Sequence, residues 1–199
     1  MPPSSSRQPL RDRIAPGVRV LFVGINPGIR SAETGHHFAG YSNRFWKLLF
    51  DSRLVPEPID WRADDRLPEW GFGITNLVAR ETPGIDTLRR DECTAGIELL
   101  RKKVRQFQPE IVAFVGVSLY RWIFGAKEAV TLGPQRTTFE GATVFVLPNP
   151  SGRNANFSYA EMLAAFRKLR RRLQTSDRRR TLPESSNVAS PTLRRKSCG

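Results

Sequence analysis

Cysteine is nearly missing from this sequence. Only Cys93 and Cys198 occur in 199 residues, and the second lies in a polar terminal stretch. Two thiols so placed exclude a disulfide framework, a four-cysteine zinc site and an iron–sulfur cluster. They point to a reducing compartment, the cytoplasm with its nucleoid. Histidine is equally scarce: the two copies are the neighbours His36 and His37. Adjacent residues rarely direct both rings at one ion and no third ligand is evident, so no metal is expected. Long apolar runs are absent as well. The longest, Val20–Val23 with its neighbours, falls far short of the roughly 20 residues of a spanning helix, so no membrane anchor is expected. Met1–Leu10 has no apolar h-region and does not read as a secretory signal.

Negative charge is the minority sign. Lys and Arg number 32 against 19 Asp and Glu, a formal net charge of +13. Such an excess says little about fold and much about partners. A polyanion is implied, nucleic acid first and an anionic membrane surface second. The plainer reading is a solubilising excess with a basic tail.

The length points to one domain. Residues 1–13 are short, polar and Pro-rich, and residues 174–199 carry few large apolar side chains and two arginine clusters. Both ends are expected to be disordered, because they bury too little surface to offset chain entropy. The basic C-terminal tail suits loose attraction to phosphate, or is simply solvated. The span 14–173 is left as the folded domain.

Within that span, apolar runs alternate with amphipathic stretches. Val18–Val23, Gly71–Val78, Ile111–Val115 and Thr143–Leu147 read as four strands. Arg44–Phe50, preceded by the capping pair Ser42-Asn43, reads as a helix, as do Asp91–Phe107, Val117–Phe124 and the very basic Tyr159–Leu173. Strands alternating with helices imply an α/β class, with parallel strands and crossover helices. Ligands of open parallel sheets gather at the carboxyl ends of the strands. Three polar segments follow apolar strands: Gly24–Gly28 (GINPG), Thr75-Asn76 and Pro148–Gly152 (PNPSG). All three should share one edge of the sheet.

Each segment has a plain reading beside a functional one. In GINPG the glycines permit close backbone approach and Pro27 restricts Asn26, which leaves its amide exposed at a strand end. The same residues also make an ordinary turn. The loop is no phosphate-binding P-loop, since no Gly-Lys-Ser/Thr follows. Asn149, Ser151, Gly152, Arg153 and Asn154 form a rigid polar loop with one cation; its amides, Ser151 and Asn154 suit phosphate contact, or it is a surface loop of turn formers. Phe38, between small residues in GHHFAG, suits stacking on a base, or packs in the core.

Taken together, VLFVGINPGIRSAETGHHFAGYSNRFWKLLF, GFGITNLVARETPG and FVLPNPSGRNANF resemble the mismatch-specific uracil-DNA glycosylase and thymine-DNA glycosylase family, over about Ala15 to Leu173. The resemblance implies a three-layer α/β/α sandwich around a short, mainly parallel sheet. It implies a monofunctional glycosylase, without cofactor, that flips uracil, or thymine and other modified pyrimidines, from mismatches with guanine in double-stranded DNA. Asn26 takes the place of the family's catalytic asparagine, which positions water. Backbone amides around Ile25 and Phe38 would stabilise the departing base, Phe38 would stack on it and Asn76 would bond its edge. Asn149 stands where better-known uracil glycosylases carry histidine, so a slower enzyme is implied. Arg153 falls at the wedge position that fills the gap left by the flipped base. Ser31 matches uracil-preferring relatives, while His37 matches the thymine-processing branch. A monomer suits an enzyme that scans DNA. Three alternatives stay open: a relative with another base preference, such as general uracil or hypoxanthine; a catalytically silent binder of distorted DNA; and, remotely, a nucleotide-binding domain.

Overall fold

The computed structural model describes residues 9–82 and 87–181. Its centre is a sheet of β1 (Val20–Gly24), β2 (Phe72–Asn76), β3 (Ile111–Val115), β4 (Gly133–Phe139) and β5 (Ala142–Leu147), in the order β2-β1-β3-β5-β4. Every pairing among β1, β2, β3 and β5 is parallel, and β4 is an antiparallel edge strand on β5. Helices α1 (Ile29–Thr34), α2 (Phe45–Asp51), α3 (Arg90–Phe107), α4 (Val117–Phe124) and α5 (Tyr159–Thr181), with a 3-10 stretch at Trp61–Trp70, supply the crossovers and cover the sheet.

The four parallel strands are nearly continuous apolar runs because both sheet faces are covered. Val20 and Phe22 of β1 point into one core with Phe45, Leu48, Met162, Phe166 and Leu169 from α2 and α5. Leu21 and Val23 point into the other with Leu100, Val104 and Leu119 from α3 and α4. This is the expected helix–sheet–helix layering, and the period-2 strand geometry explains how one run feeds two cores. Phe22 meets Phe45 edge-on, ring centroids 5.3 Å apart. Cutting such a fully buried ring to alanine costs about 3–5 kcal/mol.

Three elements go beyond the sequence reading. β4 was not anticipated: GPQRTTF alternates buried and exposed positions and carries polar residues outward, as an edge strand does. Helix α1 and the 3-10 stretch also lie where the sequence pattern assigns no element. Helix α2 starts at Phe45, one residue later than predicted, with Asn43 Oδ1 accepting from Phe45 N at 2.9 Å.

Described elements run past the predicted tail boundaries at both inner ends. Arg13 exchanges backbone hydrogen bonds with Ile74 of β2 at 2.9 and 2.8 Å, and Asp12 pairs with Lys103 at 2.6 Å. Pairing with the sheet edge, rather than apolar content, orders this segment. Helix α5 runs to Thr181, past the predicted end at Leu173. Ser176 Oγ donates to Glu110 at 2.9 Å and Arg19 pairs with Asp177 at 2.5 Å, so polar contacts to the starts of β3 and β1 extend the helix. The remainder of the predicted tails, residues 1–8 and 182–199, lies outside the described residues. Truncation after Leu173 should therefore lower stability by about 1–2 kcal/mol relative to the full chain through the lost bonds. Comparing the two melts checks this.

Candidate functional site

Parallel register brings the three polar segments to one edge. Gly24 is opposite Asn76, and Val115 is opposite Leu147, so GINPG, Thr75-Asn76 and PNPSG all leave the sheet on the same side. A Cβ placed on Gly24 would sit 2.5 Å from Asn76 Oδ1 and 3.5 Å from Phe38 Cζ. Only hydrogen at that position lets the Asn76 amide and the Phe38 ring converge over the strand end. The Asn76 side chain makes no hydrogen bond among the described residues, which leaves it available to a ligand.

Asn26 follows directly. Its Nδ2 donates to Thr82 Oγ1 at 2.8 Å and to the Pro27 carbonyl at 3.0 Å. Both contacts occupy the amino side of the amide, so Oδ1 is the atom left to accept a proton from a water or ligand. Thr82 was not singled out in the sequence. A threonine 56 residues away in a loop carries no signal there; only folding brings it to Asn26. Pro83 and Gly84 of the same motif lie outside the described residues.

Phe38 is held in the left-handed region, φ 50°, which is unfavourable for an aromatic residue. Such strain persists when the surroundings over-determine it, and here they do. His37 N donates to Asp64 Oδ2 at 2.9 Å, and Trp46 Nε1 donates to the His37 carbonyl at 3.1 Å. Ala39 N donates to Ser31 Oγ at 3.0 Å, and Arg30 Nε donates to the Ala39 carbonyl at 2.8 Å. The peptide groups on both sides of Phe38 are thus anchored. One ring face lies on Phe45, centroids 4.2 Å apart and planes 24° from parallel. The backbone N–H groups of Ile25 and Phe38 donate to nothing among the described residues.

Ser31 and His37 both lie at the Phe38 loop. Both side chains are buried, at 5% and 1% exposure. They lie beneath the Phe38 loop and brace it. His36 Nδ1 and His37 Nδ1 each approach Asp64 at 3.0 Å, and Arg13 Nε donates to the same carboxylate at 2.9 Å. The two histidines therefore share a buried carboxylate. Burial pushes the Asp64 pKa up, but the bonds from the His37 ring, the His37 amide, His36 and Arg13 outweigh it and hold it well below the usual carboxylate range. His37 Nε2 is buried without a partner. Asp64, like Thr82, was missed in the sequence.

The second loop is stiffened from within. Asn149 Oδ1 accepts from Ser151 N at 3.0 Å, and Asn154 Nδ2 donates to the Asn149 carbonyl at 2.8 Å. Asn154 Oδ1 accepts from Asn156 N at 3.0 Å, so this side chain braces the loop and keeps one N–H to donate outward. Ser151 Oγ accepts from Arg153 N at 3.3 Å and keeps its own proton to donate. Arg44 N donates to the Pro150 carbonyl at 2.9 Å, and a Cβ on Gly152 would lie 2.4 Å from Ser42 Cβ. The loop is thus pressed against the segment leading into α2. The Arg153 side chain stands exposed beside it, without a carboxylate partner among the described residues.

A cleft of about 530 Å³ borders Phe38 but not Asn26 or Asn76. Tyr41, Trp46 and Trp61 line it. It adjoins the strand-end site without coinciding with it.

A strained aromatic, two asparagine amides and a rigid polar loop stand at the carboxyl ends of the strands, where open α/β sheets bind their ligands, and define an α/β domain of that class. The chain belongs to the uracil DNA glycosylase superfamily, whose family model matches residues 12–174. Members of this superfamily are DNA glycosylases, hydrolases that excise uracil-type bases.

Proposed function

We propose that the protein excises uracil from G·U mismatches in double-stranded DNA, leaves an abasic site, and handles thymine in G·T mismatches weakly. The observation that carries this reading is the fixed Asn26 amide, whose Oδ1 is free while Nδ2 is held by Thr82 at 2.8 Å. Asn26 orients water at the anomeric carbon of a flipped nucleotide. An amide is not a strong base, so the N-glycosidic bond stretches first and its electron pair leaves with the base. Water then adds to the oxocarbenium-like sugar and releases a proton to solvent. Orienting that water removes an entropic part of the barrier. The unpartnered N–H groups of Ile25 and Phe38 suit the charge that builds on the departing base. Asn76 bonds the pyrimidine edge and the Phe38 ring stacks on it.

Mismatch preference has two sources in this proposal. Extrusion costs a few kcal/mol and least from a mismatch. The exposed Arg153 enters the vacated space and bonds the widowed guanine, with Asn149, Ser151 and Gly152 presenting the loop to the backbone. Ser31 enters through the loop: its hydroxyl accepts from Ala39 N beside Phe38, and to this arrangement we assign the limited room for a 5-methyl group. G·U turnover should exceed A·U by about tenfold or more, since ~1.4 kcal/mol suffices for that factor. Single-turnover rates on G·U, G·T, A·U and single-stranded uracil test the reading. Equal G·U and G·T rates would remove the Ser31 argument. Arg153→Ala should lower the G·U to A·U ratio, and an unaltered ratio would remove the wedge. No excision from any substrate would leave a DNA-binding module.

A further inference from the structure

The most basic helix of the molecule does not point its charge at the candidate site. Helix α5 begins just after the strand-end loop of residues 148–158, yet Ser176 and Asp177 near its far end contact Glu110 and Arg19. Glu110 immediately precedes β3 and Arg19 immediately precedes β1. The helix therefore runs antiparallel to the parallel strands and carries its arginines to the opposite edge of the sheet. Its buried positions, Met162, Ala165, Phe166, Leu169 and Leu173, face the core. The outward positions Arg167, Lys168, Arg171 and Arg172 are exposed, at the spacing of a single helical stripe.

The acids of this end are already engaged. Arg19 takes Glu110 at 2.8 Å and Asp177 at 2.5 Å. Arg167, Arg171 and Arg172 have no carboxylate within ion-pair distance among the described residues. Arg171 and Arg172 stand roughly 18–20 Å along the helix from Tyr159. Charges act over only about 8 Å at physiological ionic strength, so these two arginines lie beyond direct electrostatic reach of the Tyr159 end of the helix and of the strand-end residues beside it.

We propose that the outer stripe of α5, centred on Arg171 and Arg172, is a second phosphate-binding surface that holds a DNA duplex other than the one at the strand-end site. The inference rests on the nucleic-acid reading above and extends it: one molecule engages two DNA segments at opposite edges of its sheet. Unpaired cations repeating along a helix match the phosphates of a duplex backbone, and such contacts carry no sequence preference. Two attachment points let the enzyme pass between segments without full release.

The test uses the full chain, a uracil-free duplex fixed to beads, and a second, fluorescent uracil-free duplex in solution. The wild-type protein should retain the fluorescent duplex on the beads. The pair Arg171→Glu/Arg172→Glu should lower that capture by about fivefold or more through lost phosphate contacts. The same pair should keep single-turnover excision from a short G·U duplex within about twofold of wild type, because the stripe lies beyond screening distance of the site. Arg171→Lys/Arg172→Lys should capture like wild type. Undiminished capture by the glutamate pair overturns the proposal, as does capture of a fluorescent RNA hairpin in place of duplex DNA. Absence of excision with capture still lost in the glutamate pair would overturn the glycosylase reading and support the second surface.

Discussion

Asn26→Ala should lower single-turnover excision from a G·U duplex by about 10²–10⁴-fold and leave duplex affinity within a few fold. The side chain has no phosphate-facing cation to lose. Its Nδ2 is occupied by Thr82 and by the Pro27 carbonyl, which leaves one acceptor oxygen as its free chemistry. The loss should therefore appear in the chemical step and not in binding. A near-native rate in this variant would mean that water is held elsewhere. Thr82→Val should shift the rate in the same direction by a smaller factor, because it frees the amide without removing it.

Asp64→Ala should destabilise the domain by about 3–5 kcal/mol, the usual result of removing one partner from a buried ion pair. The carboxylate is fully buried and accepts from Arg13, His36, the His37 ring and the His37 amide. Removal leaves these donors stranded and releases the loop that holds Phe38 in its strained conformation. The sign of the pH dependence follows from the lowered pKa. A carboxylate whose folded pKa lies below its unfolded value, near ~4, stabilises fully above that value and loses its contribution as pH falls through the folded one. Wild-type stability should therefore drop on acidification below about pH 4, and that acid limb should be shallower in Asp64→Ala. Urea midpoints measured from pH 6 downward decide it: parallel curves for the two proteins would show that Asp64 is not held low.

Much of the architecture was readable from linear pattern. The runs at 20–24, 72–76, 111–115 and 142–147 are nearly continuous apolar stretches, broken only by small or polar residues such as Thr75, Asn76 and Thr143, because both faces of a parallel sheet are covered. β4 escaped because an exposed edge strand has half of its side chains in water and so no continuous run. The end of α5 escaped for a related reason. Its last turns are secured by Ser176 and Asp177 through polar contacts, and hydrophobic periodicity does not register those.

The site divides along similar lines. Chain order placed Asn26, Asn76 and the residue 149–154 loop at strand ends, and parallel strands necessarily bring their carboxyl ends together. That much followed from local sequence, because strand direction and turn chemistry are local properties. The roles of Ser31, His37 and Asn154 did not. Their residue types suit contact with base or phosphate, while the bonds they make to Ala39, to Asp64 and to the Asn149 carbonyl become visible only in the folded chain. Thr82 and Asp64 were unreadable because each acts on partners far away in the chain, 56 residues in one case and 27 or more in the other. The direction of the basic charge was likewise open in the linear chain: a count of arginines has no orientation. It was settled when α5 packed antiparallel to the strands, since the apolar stripe that binds it to the sheet leaves its cations facing away and toward the edge opposite Asn26.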